Sequence, residues 1–176
     1  VLWKVSYRCA AHCQFCTRRR QIGNQSGELT KKEIENCIKY ISNHKEIEEI
    51  ILSGGDPFFN PKKLDYILKK IVKIDSVKSI RIGTRLPIHL PRAFYSQKLK
   101  KMVNNLVKFS KRLPIYILIH INHPDELTKE SRKVIQNFRK KGLILMSQTV
   151  FLRNINDNFE TLHKLFKEIY FLGIIP

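Results

Sequence analysis

No stretch of the 176 residues comes near the roughly 20 consecutive apolar residues that a membrane-spanning helix needs. No charged-then-apolar leader opens the chain, so a soluble, cytoplasmic protein without a membrane partner is the expectation. Low-complexity linkers and breaks in composition are also missing. Residues 1–176 therefore read as one domain, long enough to bury a substantial core. Cysteine is scarce, with four residues, and three of them fall within the eight positions from Cys9 to Cys16. That crowding fits an intracellular metal site better than a secreted disulfide framework. The fourth, Cys37, lies among Ile34, Ile38 and Ile41 at helical spacing and reads as a small buried hydrophobe. Acidic residues are short too: 15 Asp and Glu stand against 33 Lys and Arg, a net charge of +18. A nucleic-acid partner is compatible with that balance. The distribution argues against one, because most of the excess is Lys on the polar faces of helices, as at Lys62, Lys63, Lys69, Lys70 and Lys73, which read as a solvated face. The run Arg18, Arg19, Arg20 is the exception, since it directly follows the cysteines.

What is present is a regular alternation. Five segments repeat apolar residues at helical spacing: Ile34/Cys37/Ile38/Ile41, Leu64/Ile67/Leu68/Ile71, Leu99/Met102/Val103/Leu106, Val134/Ile135/Phe138 and Leu162/Leu165/Phe166/Ile169. Start signals precede three of them: Thr30 with Glu33, Asn60 before Pro61, and Asp157 before Glu160. Between the helices lie Ile-, Leu- and Val-rich runs at Val1 to Tyr7, Ile47 to Leu52, Val77 to Ile82, Ile115 to Ile121 and Leu143 to Thr149, and a sixth begins at Gly173. The pattern predicts an α/β fold whose parallel strands alternate with covering helices. Periodicity alone leaves open whether the sheet curls into a barrel or stays open and doubly wound. A start in mid-strand and an end at the sixth strand suggest a piece of a longer chain.

In parallel α/β folds, ligands bind where the strands end. Here the first strand is followed by Cys9, Cys13 and Cys16, the second by Ser53, Gly54, Gly55 and Asp56, and the third by Gly83, Thr84 and Arg85. The fourth leads to His120, Asn122 and His123, and the fifth contains Ser147 and Gln148. Five such ends in register predict one shared site. In CAAHCQFC the spacing CxxxCxxC supplies three thiolates. A structural zinc ion wants four closed ligands, which would require His12 beside Cys13. A [4Fe-4S] cluster held by three cysteines instead leaves one iron open to chelate a small molecule.

With Phe15 as the aromatic residue before the third cysteine, this segment resembles the cluster motif of the radical S-adenosylmethionine superfamily, and LSGGDP resembles that superfamily's glycine-rich motif. Longer blocks, CTRRR, ILSGGDP, RIGTRLPIHLPRA, HINHPDELT and MSQTVFLRNINDN, are similar to the lysine 2,3-aminomutase family across essentially the whole chain. The resemblance implies a partial (β/α)6-type barrel truncated at the sixth strand, residues 1–176 being the radical core domain. It implies Cys9, Cys13 and Cys16 as the cluster ligands. It further implies Phe15, Ser53, Gly54, Gly55, Asp56, His120 and Gln148 at the S-adenosylmethionine site, with Arg18 on the substrate carboxylate. Ser147 departs from the asparagine expected before that glutamine.

The activity implied is hydrogen abstraction by a 5′-deoxyadenosyl radical and 1,2-migration of an amino group on a pyridoxal phosphate-bound amino acid, L-lysine to β-lysine. The anchors for pyridoxal phosphate are expected outside these residues. An electron donor such as flavodoxin or ferredoxin is implied, and the full-length protein leaves room for a homo-oligomer. A relative serving elongation factor P, to which Phe58 points, and aminomutases of glutamate or arginine are the near alternatives. A basic zinc- or RNA-binding module is the distant one.

Overall fold

The computed structural model describes residues 1–24 and 28–176. Five strands, β1 (Leu2–Ser6), β2 (Glu49–Gly54), β3 (Ser79–Thr84), β4 (Ile115–His120) and β5 (Ile144–Gln148), pair in parallel in sequential order. The five expected helices are α1 (Lys31–Asn43), α2 (Pro61–Ile71), α4 (Gln97–Ser110), α5 (Lys129–Lys140) and α6 (Phe159–Phe171). A sixth, the single turn α3 (Leu86–His89), is too short for periodicity to register.

Strand order decides what periodicity left open. Right-handed crossovers place a helix on the same side of the sheet each time the next strand is added in the same direction. A doubly wound sheet reverses direction partway along its strand order; this one never does. The helices accordingly cover one face, and the sheet is of the barrel type. The run from Gly173 continues the trend, with Ile175 forming a parallel bridge to Met146 beside β5.

Register sorts the side chains. Trp3, Val5, Ile50, Leu52, Ile80, Ile82, Ile115, Ile117, Ile119 and Leu145 are buried under the helices. The alternate positions, among them Ser53, Arg81, Gly83, Tyr116, His120 and Gln148, face the concave side and are more polar. Near the start of the strands that side is crossed by an Arg81–Glu49 ion pair. Phe58, which in the sequence pointed to one substrate context, is fully buried in an aromatic cluster with Phe94 and Phe138 at centroid distances of 5.8 and 6.4 Å. It is a core residue.

Local signals hold at most helix starts. Thr30 and Glu33 form a reciprocal capping box on α1, and Asn60 accepts from the Lys63 N–H ahead of α2. At α6 the cap is Asn158, which accepts from Thr161, and not Asp157 as the spacing suggested. Lys63 also departs from the solvated reading. Its ammonium sits 2.6 Å from Glu28 and is only 15% exposed, whereas Lys69 and Lys70 stay at the surface.

Candidate active site

The cysteine loop leaves β1 through a register shift between Lys4 and Ser6. Bulges of this kind re-aim a strand end next to a site. The loop is closed at its base by the Gly23 N–H donating to the Tyr7 carbonyl at 3.0 Å, and internally by Cys16 N–H to Cys13 and Ile22 N–H to Arg18. Glu28, which no sequence motif marks, clamps its entry. One carboxylate oxygen accepts from the Ser6 hydroxyl at 2.6 Å and the Tyr7 N–H at 2.7 Å, while the other meets Lys63. Burial alone would raise the Glu28 carboxyl, but Lys63, Ser6 and Tyr7 overcome it and hold it down at about 2.

The glycine-rich segment is built against this loop. The Gly55 and Asp56 N–H groups donate to the carbonyls of Ser6 at 2.6 Å and Arg8 at 2.8 Å. A Cβ on Gly55 would lie 2.1 Å from the Arg8 oxygen, and one on Gly54, whose φ is +116°, 2.3 Å from the Ser6 oxygen. These glycines are required first by the close approach of two backbones, before any ligand is considered. Asp56 is buried, and its carboxylate accepts from Thr84 Oγ1 and from the N–H groups of Phe58, Arg85 and Leu86. Burial raises the Asp56 carboxyl and these four donors oppose it. The side chain thus ties the second strand end to the third.

A cavity of about 200 Å³ lies at the carboxyl ends of the strands. Cys9, Cys13, Cys16, Phe15, Arg18, Ser53, Gly54, Gly55, Asp56, His120 and Gln148 all line it. Every residue that the resemblance places at the cluster, the ligand or the substrate carboxylate is therefore brought to one rim, whereas Asn122, His123 and Ser147 of the same strand ends are not in the lining. Arg18 donates to the Ser53 hydroxyl at 3.0 Å, whereas Arg19 and Arg20 are exposed. His12 is exposed as well and lies outside the lining, so the fourth ligand of the zinc alternative is not supplied. Ser147 falls on the side of β5 turned from the cavity, its N–H bonded to the Ile175 carbonyl at 2.7 Å, so the departure there leaves the lining unchanged.

The third and fourth strand ends surround His120 with groups that sequence reasoning left without a role. Arg85 reaches Cys13 and Glu126 and covers the Phe15 ring. His120 packs on Phe15 with ring centroids 5.3 Å apart, and its Nε2 lies 3.0 Å from the Asn122 side-chain Oδ1. Asn122 is buried and brackets the rim from behind, accepting from the Val150 N–H and, through its backbone carbonyl, from Asn156. His123 caps the turn Pro124–Glu126 and is not part of the lining. Glu28 carries no local motif, and Glu126 and Asn156, although they fall within HINHPDELT and MSQTVFLRNINDN, have no role that spacing assigns, since each acts across more than 20 residues.

Burial, with help from Arg85, lowers the His120 pKa from 6.5 to about 4 against the opposing Asn122 bond. An unfolded chain takes up this proton below about 6.5, but the folded one refuses it until about 4. The His120 contribution to the folding stability of the cluster-free protein should be lost as pH drops through that window and level off below it, where protonation of Glu28 takes over the decline. In His120→Gln, urea titrations from pH 7 to 4 should show a flatter decline; an unchanged slope would mean other groups carry it.

The three thiols fit an iron–sulfur cluster better than one ion. Among the described residues, no three His, Cys, Asp or Glu side chains converge on a point that a single metal ion could occupy. A cubane asks only that each thiolate reach a different iron around a shared cavity. The donors for sulfur are already set, with the Ala11 N–H 3.4 Å from Cys9 Sγ and Arg85 Nη1 2.9 Å from Cys13 Sγ. Burial pushes the Cys9 thiol up to about 11, so its thiolate forms when a metal displaces the proton.

A parallel barrel-type sheet with three cysteines and a glycine-rich turn at one rim defines an α/β enzyme core. The sequence model of the radical SAM superfamily matches residues 3–166, and the chain belongs to that superfamily. Over its whole length it is 39% identical to the L-lysine 2,3-aminomutase of Methanococcus maripaludis, 36% to a putative L-lysine 2,3-aminomutase of Aquifex aeolicus and 32% to the L-lysine 2,3-aminomutase of Escherichia coli. It covers 39%, 46% and 50% of those proteins, so the chain spans about half the length of the curated relatives it matches. Among solved structures, SuiB of Streptococcus suis bound to the precursor peptide SuiA superposes with a TM-score of 0.69 at 16% identity, covering 98% of this chain and 37% of that one. The radical S-adenosylmethionine methyltransferase TsrM of Kitasatospora setae, with cobalamin and a [4Fe-4S] cluster bound, gives 0.54 at 11%, covering 96% and 33%. These two likenesses establish the fold alone. Among the described residues no helix is long and apolar enough to cross a membrane.

Proposed function

We propose that the whole protein is a cytoplasmic aminomutase that moves an amino group between adjacent carbons of a small amino acid, converting L-lysine to β-lysine. The observation that carries this reading is the one cavity that three thiols, the glycine-rich turn and Arg18 all line. The match of all 176 residues to lysine 2,3-aminomutases supports the choice of substrate. Cys9, Cys13 and Cys16 would hold a [4Fe-4S] cluster, and the Gly54–Asp56 turn, which lines the same cavity, would receive the methionyl end of S-adenosylmethionine. Phe15, His120 and Gln148 line the remainder of that ligand's site, Phe15 and His120 excluding water by their packing and Gln148 offering an uncharged amide. When bound, the cluster and S-adenosylmethionine supply one-electron cleavage and a carbon radical able to abstract hydrogen; a donor such as flavodoxin or ferredoxin provides the electron. Arg18 grips the substrate carboxylate, with Ser53 fixing the fork. As the resemblance to lysine 2,3-aminomutases implies, the groups anchoring pyridoxal phosphate belong to other parts of the full-length protein.

The test is anaerobic turnover by the full-length protein. Reconstituted with iron and sulfide, it should be brown, cleave S-adenosylmethionine under reduction and form β-lysine from lysine by mass spectrometry. A colourless zinc protein, or a cluster protein that leaves lysine unchanged, would sink the reading at different levels. In the same assay Arg18→Lys keeps the charge but offers a point donor in place of a two-pronged one. The loss of one charge-assisted contact should weaken lysine binding by about 1.5–3 kcal/mol, roughly tenfold or more in KM. An unchanged KM would return Arg18 to the exposed basic run of Arg19 and Arg20.

A further inference from the structure

The exit of β3 carries a closely held cation, Arg85. Arg85 Nη1 lies 2.9 Å from Cys13 Sγ, and Nη2 lies 2.9 Å from Glu126 Oε1. The guanidinium covers the Phe15 ring at 5.1 Å from its centroid, and the side chain is only 12% exposed. Even its backbone is fixed, since the Arg85 N–H donates to the buried Asp56 carboxylate at 2.8 Å. Three elements therefore hold this group at four points: the cysteine loop at two, the glycine-rich turn at one and the turn after β4 at one. All of that holding ends in one N–H directed at a sulfur.

We infer that Arg85, steered by Glu126, is a positioning residue that sets the reduction potential of the cluster ligated through Cys13. This rests on the reading that Cys9, Cys13 and Cys16 carry a [4Fe-4S] cluster. Reduction adds one negative charge to the cluster and its thiolates. A hydrogen bond to a ligand sulfur and a cation at contact distance both favour the more negative state, and cluster potentials follow such bonds and local charge. Half-burial increases the effect because little water intervenes. Glu126 acts in two ways: it orients the fork so that one prong reaches Cys13, and its own charge offsets part of the cation's field. An arginine suits the position because its planar fork serves sulfur and carboxylate together, whereas a lysine ammonium is a point donor that would favour one of them. Asp56 enters the same chain of support, which gives the buried carboxylate of the glycine-rich turn a task beyond its own loop.

The experiment is an anaerobic redox titration of the reconstituted full-length protein, followed by electron paramagnetic resonance of the reduced cluster, with iron and sulfide counted in each sample. Arg85→Gln should lower the midpoint potential by at least 59 mV, the equivalent of a tenfold loss in the one-electron reduction equilibrium. Arg85→Lys should give a smaller shift in the same direction. Glu126→Gln, which keeps an acceptor for the fork but removes the opposing charge, should shift the potential upward. If the assembled clusters of all three variants titrate with the wild type, Arg85 only braces the loop and the inference is overturned, whatever happens to thermal stability. Should Arg85→Gln assemble no cluster, Arg85→Lys and Glu126→Gln decide the outcome. A wild-type protein that holds no cluster would instead overturn the reading beneath it, and the iron and sulfide counts report that separately.

Discussion

Replacing Cys9, Cys13 or Cys16 by Ala should each abolish the iron–sulfur absorbance of the reconstituted protein and its cleavage of S-adenosylmethionine, while Cys37→Ala leaves both nearly intact. The three loop thiols line one cavity, and losing any one leaves a cubane with two uncapped irons, since no other cysteine or histidine of the lining except the neutral, packed His120 could substitute. Expected activity losses are to background. Cys37 lies on α1, partly buried against the core, where burial raises its thiol and Ile34 and Ile41 flank it. Exchanging it for Ala removes one sulfur from an apolar contact, an effect of about 1 kcal/mol on stability. Iron content and single-turnover formation of 5′-deoxyadenosine measure both. Retained cluster in any loop variant, or loss in Cys37→Ala equal to theirs, would refute the assignment.

Gly55→Ala should be nearly as severe without removing any ligand. The added methyl would stand 2.1 Å from the Arg8 carbonyl oxygen and 3.0 Å from the Arg8 nitrogen, so the turn or the cysteine loop must move. Both are pinned: the turn by the Asp56 carboxylate and the loop by Glu28 and Lys63. Backbone against backbone has no flexible side chain to give way, and strain of a few kcal/mol is the expectation. Gly83→Ala is the matched control. Gly83 lines the same cavity, yet its added Cβ would meet nothing nearer than 3.9 Å, so the fold should accept it. We expect cluster content near zero in Gly55→Ala and near wild type in Gly83→Ala, with a lowered Tm only in the first. Equal cluster content in the two would mean that the glycine-rich turn is freer than its hydrogen bonds imply.

The contrast between these glycines marks where reading a sequence stops. The GGD segment is conspicuous in the chain, and its place one strand after the cysteines is enough to assign it to a ligand site. That reading credits the glycines to a ligand's approach. In the fold their first constraint is β1, which lies against them only because the strands pair in register, Ser6 with Gly54. Lys63 makes the same point from the other direction. On a helical wheel it belongs with its solvated neighbours, yet it answers a carboxylate 35 residues away.

Sequence by itself determined the alternation of strand and helix, the five amphipathic faces, the three thiols at CxxxCxxC and the rim on which the special residues gather. Each of these depends on spacing within one segment or on the order of segments, and a periodic pattern records both directly. Tertiary structure decided the rest. The sequential strand order chose a barrel-type sheet over a doubly wound one. Burial turned Phe58 into core and left His12 in solvent. The fold also brought Arg85 to Cys13 across 72 residues and Glu126 to Arg85 across 41. Such pairings depend on where strands end in space, and no local pattern encodes a distance between two loops until the sheet beneath them has set their separation.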